Sequence, residues 1–260
     1  MICLSKNKQD VFINKFAKGA RLPMQDYDEP IPDEAILIRS IAKKQLIKKR
    51  WKSKKPFYYM DSGYFGNYKS PGNPNGLKFW HRIVYNDLQH NKIIERPDDR
   101  WNKLNIKLKA HRPGGQHILL VLPSEKPCKF YGIDLEDWTK QTVKEIQKHT
   151  DRPIKIRAKE IRSERLKNTI WQDLDKCHAM VTYQSIAAVE SVISGVPAFT
   201  LAPTAADPVC DKDLSKLEDP TIQHKDKLYA WAHHLAYGQF HTDEFANGLA
   251  YKRLMKDREL

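Results

Sequence analysis

The stretch 178-HAMVTYQSIAAVESVISGVPAFTLAPTAA-206 joins two apolar runs through a polar hinge, Tyr183-Gln184-Ser185. Ser185 stands where a helix would begin, with the small residues Ala187 and Ala188 behind it and Glu190 about one and a half turns further on. A helix N-terminus offers free backbone N–H groups and a partial positive charge, so an anionic group such as a phosphate settles there readily. Ser185 and the backbone amides that follow Tyr183-Gln184 are therefore candidate anion-binding groups, with Ala187 and Ala188 leaving room for close approach, and the Glu190 carboxylate is placed to pair hydroxyls such as those of a ribose. The same spacing also serves a plain cap, with Ser185 holding an amide of its own helix and Glu190 facing water.

Cations and further hydroxyls accompany the hinge. Lys155, Arg157 and Lys159 alternate along 153-PIKIRAK-159, which puts all three on one strand face near its carboxyl end. A solvated face or a charged, protected edge would carry the same pattern. The run 123-PSEKP-127 closes an apolar strand and brings Ser124 and Lys126 to its end.

In the first half, 57-FYYMD-61 ends on Asp61, ahead of Ser62-Gly63. A carboxylate there suits proton transfer, and equally the capping of a turn. His81, Arg82 and Asn86 lie in 79-FWHRIVYN-86, with Arg82 and Asn86 on one face; His81 is a second candidate base and also an ordinary hydrogen-bonded strand residue. The turn-rich loop from Tyr64 to Gly76 mixes Tyr64, Phe65, Tyr68 and Lys69, a combination that stacks on sugars or bases.

Lys43, Lys44, Lys48, Lys49, Arg50, Lys52, Lys54 and Lys55 form the densest cationic cluster, a footprint for polyphosphate or a DNA backbone or simply a solvated basic helix. No zinc-ligand spacing is present: His233 and His234 are adjacent rather than four apart, and Cys3, Cys128, Cys177 and Cys210 are scattered.

The elements that must position these groups alternate between strand and helix. Helical spacing over 8–20, a β-rich run at 36–41, a basic helix over 43–55 and strands at 57–61 and 79–86 fill the first half. Strand 117–124, helix 134–150, strand 153–159, a short helix at 169–177, strand 179–183, helix 186–195 and strand 197–202 follow, a Rossmann-like βαβαβαβ series. Gly195 is an expected left-handed helix stop. Aromatic helices are expected over 226–240 and 243–257. The polar segment 95–116 ends in Pro-Gly-Gly, so the expected domains are 1–112 and 113–260.

A chain of 260 residues with 40% hydrophobic and 30% charged content buries a real core. No apolar run reaches the roughly 18 residues that span a bilayer, and the N-terminus lacks a signal-peptide core, so a cytoplasmic protein is expected. The net charge of +13 favours a polyanionic partner or substrate, or only keeps the protein dissolved.

The run 179-AMVTYQSIAAVESVISGVPAF-199 resembles the donor-nucleotide motif of GT-B glycosyltransferases of the bacterial and phage surface-carbohydrate, capsule-like type. Thr182, Ser185, Glu190, Gly195 and Pro197 carry the likeness, which extends from His117 to about Ala202. The resemblance implies an α/β fold of two Rossmann-like domains facing across a cleft, with C-terminal helices. It implies a hexosyl- or pentosyltransferase that moves a sugar from a nucleotide-diphosphate donor, such as a UDP-sugar, to a hydroxyl acceptor. Ser124, Arg157, Lys159, Thr182, Gln184, Ser185, Ile186, Ala187 and Glu190 would hold the donor; Asp61, or else His81, would be the base; Tyr64, Lys69, Arg82 and Asn86 would meet the acceptor. That acceptor is a modified DNA base or a cell-surface glycan. The resemblance implies a metal-independent reaction, so no metal or other cofactor is expected. The alternative reading is a non-catalytic basic nucleic-acid-binding protein on a Rossmann-like scaffold.

Overall fold

A computed structural model describes residues 1–67, 79–159 and 168–257. The chain folds as mixed α/β and divides into two compact units, Met1–Leu88 with Tyr237–Leu260, and Gln89–Ala236. No helix among the described residues is long and apolar enough to cross a membrane.

The first unit holds a six-stranded sheet in the order β10-β5-β4-β3-β1-β2. Its strands are β1 (Ile2–Leu4), β2 (Met24–Gln25), β3 (Ile36–Arg39), β4 (Phe57–Ser62), β5 (Trp80–Tyr85) and β10 (Gln239–His241). β1 to β4 run parallel, whereas β5 and β10 run antiparallel to their neighbours. Helix Val11–Ala20 turns Ile13, Phe16 and Ala17 onto the sheet, where they pack with Leu37, Tyr58, Met60, Phe240 and Phe245.

The second unit holds a wholly parallel sheet, β7-β6-β8-β9, formed by β6 (His117–Val121), β7 (Ile154–Arg157), β8 (Cys177–Thr182) and β9 (Ala198–Thr200). β8 is buried along its whole length, as a central strand covered on both faces must be. Ile118, Leu120, Ala179 and Val181 pack with Phe199, Leu217 and Ile146, the last from helix Leu135–Gln147. That helix starts at Asp134, whose side chain accepts from the Asp137 amide at 2.9 Å.

Both parallel cores wind the same way. From β1 the chain moves to β2 on one side and then to β3 and β4 on the other; from β6 it moves to β7 and then to β8 and β9. The loops after β6 and β8 therefore leave the sheet side by side where the winding reverses, the place where open α/β sheets collect ligands.

The unit boundary differs from the expected 112/113 division at both ends. Segment 105–116 lies against the second unit: the Lys109 amide donates to the Ile193 carbonyl at 2.9 Å and the Gln116 amide to Lys176 at 2.7 Å. Two glycines make that approach feasible. A methyl on Gly195 would overlap the Ala110 carbonyl oxygen, and one on Gly115 would overlap the His178 backbone. Arg100, a residue of the same polar stretch, donates through Nε to the Ala236 carbonyl at 2.9 Å.

The expected helix 226–240 is Lys225–Tyr237, and the next residues form β10, paired antiparallel with β5. The tail thus adds a strand as well as helices to the first unit. The expected helix 243–257 is broken at Gly248, with φ of +75°, into Thr242–Ala246 and Leu249–Asp257.

Gly195 has φ of +76° besides its contact with Ala110. Gly195→Ala is expected to destabilise the chain by about 1–3 kcal/mol. Chemical denaturation should show it as a lowered midpoint, and an unchanged midpoint would mean that segment 105–116 is not held this way.

Candidate functional site

The carboxyl ends of β6 and β8 are stitched together by Thr182, whose Oγ1 donates to the Val121 carbonyl at 2.9 Å. This threonine is fully buried, so it fixes the two loop origins and does not itself face a ligand. Beyond β6, Ser124 opens the helix Glu125–Tyr131 in an extended conformation, and its hydroxyl makes no cap hydrogen bond. Beyond β8, the Tyr183 ring is wedged against Tyr131 and Trp138, with centroids 5.6 and 6.1 Å away. The polar hinge is thereby anchored on its aromatic member while Ser185 and Ile186 stay half-buried.

The hinge helix spans Ala187–Ile193, one residue later than expected at its start. The Ser185 hydroxyl accepts from the Ala187 amide at 3.2 Å, and the Ser185 carbonyl accepts from Ala188 at 3.1 Å. The self-capping reading of Ser185 is thus realised. The amides of Ser185 and Ile186 have no acceptor among the described residues. Gln184 is buried beside them. Ala187 and Ala188 are buried too, so Ala187 brings its backbone rather than its side chain to this edge.

Glu190 follows on the same helix, half-buried. Burial pushes its carboxyl up to about 7, with the charge of Arg157 opposing the rise. No described residue donates a hydrogen bond to this carboxylate. A half-covered acid without an internal donor is suited to accept from an incoming hydroxyl.

Arg157 and Lys155 are not free cations. Both pair with Asp173, a buried aspartate on helix Ile170–Asp173, and Arg157 Nη2 also donates to the Asn168 carbonyl at 2.6 Å. The sequence offered no signal for Asp173 over its neighbour Asp175. Lys159 is exposed and lies past the end of β7, so it does not continue the strand face of the other two.

In the first unit Asp61, Arg82 and Tyr64 come together. Asp61 Oδ2 accepts from the Tyr59 hydroxyl at 2.6 Å, Oδ1 accepts from the Ser62 amide at 2.8 Å, and Arg82 Nη2 lies 3.7 Å away. Burial alone would raise this carboxyl, but Arg82, the Tyr59 hydroxyl and the Ser62 amide outweigh it and hold the pKa below the ordinary value. Arg82 is buried, donates to the Ser62 carbonyl at 2.6 Å and stands 5.5 Å from the Tyr64 ring. Tyr64 is also buried, at 2% exposure, so Arg82 and Tyr64 build the surroundings of Asp61 more than they present a surface.

The other first-unit candidates are placed elsewhere. His81 is 0% exposed and packs 4.0 Å from the Phe12 ring centroid and 5.8 Å from that of Phe245. It points into the core because side chains alternate along β5, and as folded it offers no surface to a substrate. Asn86 lies at the opposite sheet edge from Asp61: β5 is antiparallel to β4, so four residues on from Arg82 the chain has retreated by roughly 13 Å. There Asn86 Oδ1 accepts from the Phe57 amide and its carbonyl from Trp51 Nε1, both at 2.9 Å. Lys69 and Tyr68 lie outside the described residues. Within the basic cluster, Arg50 is 3% exposed and donates to the carbonyls of Pro32, Asp33 and Glu34, and Lys55 pairs with Asp33. Part of that cluster therefore ties down loop 32–34.

A parallel sheet of order β7-β6-β8-β9 with helices between its strands is a Rossmann-like fold, and in fold the chain resembles bacterial capsule-type glycosyltransferases. Two solved structures from Thermosulfurimonas dismutans share that fold. One is KpsC, beta Kdo 2,4 transferase, with a TM-score of 0.54 and 12% identity over 89% of each chain. The other is KpsC, beta Kdo 2,7 transferase, with a TM-score of 0.53 and 10% identity over 97% of this chain and 99% of that one. No family model and no curated protein matches the sequence.

Glu190 yields a signed prediction. Its native pKa of about 7 exceeds the ordinary 4.5, so between those values the folded form keeps a proton that the unfolded chain has lost. Stability contributed below about pH 4.5 is then lost as pH rises towards 7. Because Glu190 is only half-covered, the effect should be about 1–2 kcal/mol. Melts of Glu190→Gln against the parent, from about pH 4 to about pH 8, should show the variant gaining relative stability with pH. A constant difference would mean that Glu190 titrates normally.

Proposed function

We propose that the protein is a glycosyltransferase that moves a sugar from a nucleotide-sugar to a hydroxyl of a glycan acceptor. The observation that carries this reading is the pair of adjacent loops after β6 and β8. They bring the Ser124 hydroxyl, the uncommitted Ser185 and Ile186 amides and Glu190 to one edge of a parallel sheet. Donor phosphate would take the amides and the Ser124 hydroxyl, and a ribose hydroxyl would donate to Glu190 once it is ionised. Arg157, held by Asp173, would supply positive charge near the phosphate as the bond to the sugar breaks. No metal is needed in this scheme. The fold shared with two Kdo transferases supports glycosyl transfer and adds Kdo to the hexoses and pentoses as a sugar to test.

In this reading the first unit supplies the base. Asp61 is the carboxylate we assign to that step, because it is held ionised and His81 is enclosed in the core. The low proton affinity makes Asp61 a weak base in the ground state, so it would act late, as the acceptor oxygen bonds to the sugar and its proton becomes acidic.

The test is turnover of UDP-, GDP- and CMP-sugars, including CMP-Kdo, measured as nucleotide release with and without added glycan. One donor should be hydrolysed slowly without acceptor. Ser185→Ala and Glu190→Ala should each lower kcat/KM by about tenfold or more. Asp61→Asn should lower kcat by about a hundredfold and leave donor KM unchanged. Absence of release from every donor, with no thermal stabilisation by any free nucleotide, contradicts the proposal.

A further inference from the structure

A cavity of about 440 Å³ lies within the second unit, at the far end of the hinge helix from Ser185. Its apolar walls are Val192, Val196, Pro197, Val209 and Leu228. Val192 is in the last turn of the helix and Pro197 precedes β9, so the cavity opens at the amino edge of the sheet, away from the loops after β6 and β8. The volume falls in the range of small-molecule sites. Its polar border is one-sided in charge: Lys109 and Lys225 line it, and none of its lining residues is acidic. Lys225 stands 5.6 Å from the centroid of Tyr229, another wall residue, so cation and aromatic face are presented together. His111 Nδ1 lies 3.3 Å from the Gly195 carbonyl oxygen, which can only accept, so this imidazole carries its proton on Nδ1 and leaves Nε2 as its second polar atom.

We propose that this cavity is a binding site for a small organic anion, one with an apolar or aromatic body and a single carboxylate, sulfonate or phosphate group. The body would displace water from the valine and leucine walls, and the anionic group would sit between Lys109 and Lys225. Such a ligand would touch Val192, two residues from Glu190 on the same helix, and so reach the strand-end site from behind. The inference stands apart from the glycosyltransferase reading, because binding here needs neither Ser185 nor Glu190.

The probe is 8-anilino-1-naphthalenesulfonate, titrated by fluorescence and calorimetry against the full chain. One saturable site is expected. N-phenyl-1-naphthylamine, the same body without the sulfonate, should bind about tenfold more weakly or worse, a difference of about 1.4 kcal/mol. The double variant K109E/K225E, altered only at exposed side chains, should keep its melting point and lose about tenfold in affinity. Ile222→Trp, a bulky side chain at an exposed wall position, should compete with the dye by filling the mouth. Equal binding of the neutral dye, unaltered binding to either variant, or full competition by inorganic phosphate would each overturn the proposal.

Discussion

Thr182 and the Val121 carbonyl fix the distance between two strands whose loops then leave the sheet in different directions. The donor site proposed for the second unit depends on that parting. A parallel strand delivers its chain to the same edge as its neighbours, and each following helix turns its N–H groups back towards that edge. Where the winding reverses, no crossover covers the gap. The first unit shows what happens when such a gap serves stability alone. It has the same winding, but Asp10 accepts from the Phe12 and Ile13 amides at 3.0 and 3.1 Å and pairs with Arg39 at 2.8 Å from the end of β3. A carboxylate of the chain itself thus occupies the place an anion would take. In the second unit the equivalent helix begins at Ser124 with no such cap, and Ser185 claims only the Ala187 amide.

Charge is apportioned with the same economy. The excess of +13 is not simply spread over a surface: Arg50 is spent on three carbonyls, and Asp173 holds Lys155 and Arg157 together beside the candidate site. Two cations on one buried carboxylate leave a net positive group whose position is set by the fold. Its reach is visible at Glu190, where it opposes the effect of burial without cancelling it. Asp61 is the opposite case, a covered carboxylate whose partners outweigh its burial. The two acids are thereby separated in proton affinity, one held ionised and one titrating near neutrality.

Much of the second unit was legible in the sequence because its elements obey a single period each. β6, β8 and β9 read as continuous apolar runs since both of their faces are covered, and Gly195 marked the end of the hinge helix through its left-handed backbone. The unit boundary was not legible. Segment 105–116 is polar and looks like a linker, yet it docks through backbone hydrogen bonds and two glycines that carry no hydrophobic signature. β10 was hidden by the helical pattern on either side of Gly238, and only the long-range pairing with β5 reveals it. Among site residues, the hinge lies at a strand end as its pattern suggests, whereas His81 depended on which face of β5 meets the core and Asn86 on strand direction, neither of which one sequence encodes locally. The partnership of Asp173 with two cations was invisible because it joins a helix to a strand at least 16 positions away.

The most direct measurement is the amide NMR spectrum of the ¹⁵N-labelled chain as a nucleotide or nucleotide-sugar is added. Binding through the second-unit strand ends should move the Ser185 and Ile186 resonances most and leave those of Phe12 and Ile13, already committed to Asp10, in place. Shifts confined to the first unit, or none at the hinge with saturating ligand, would contradict it.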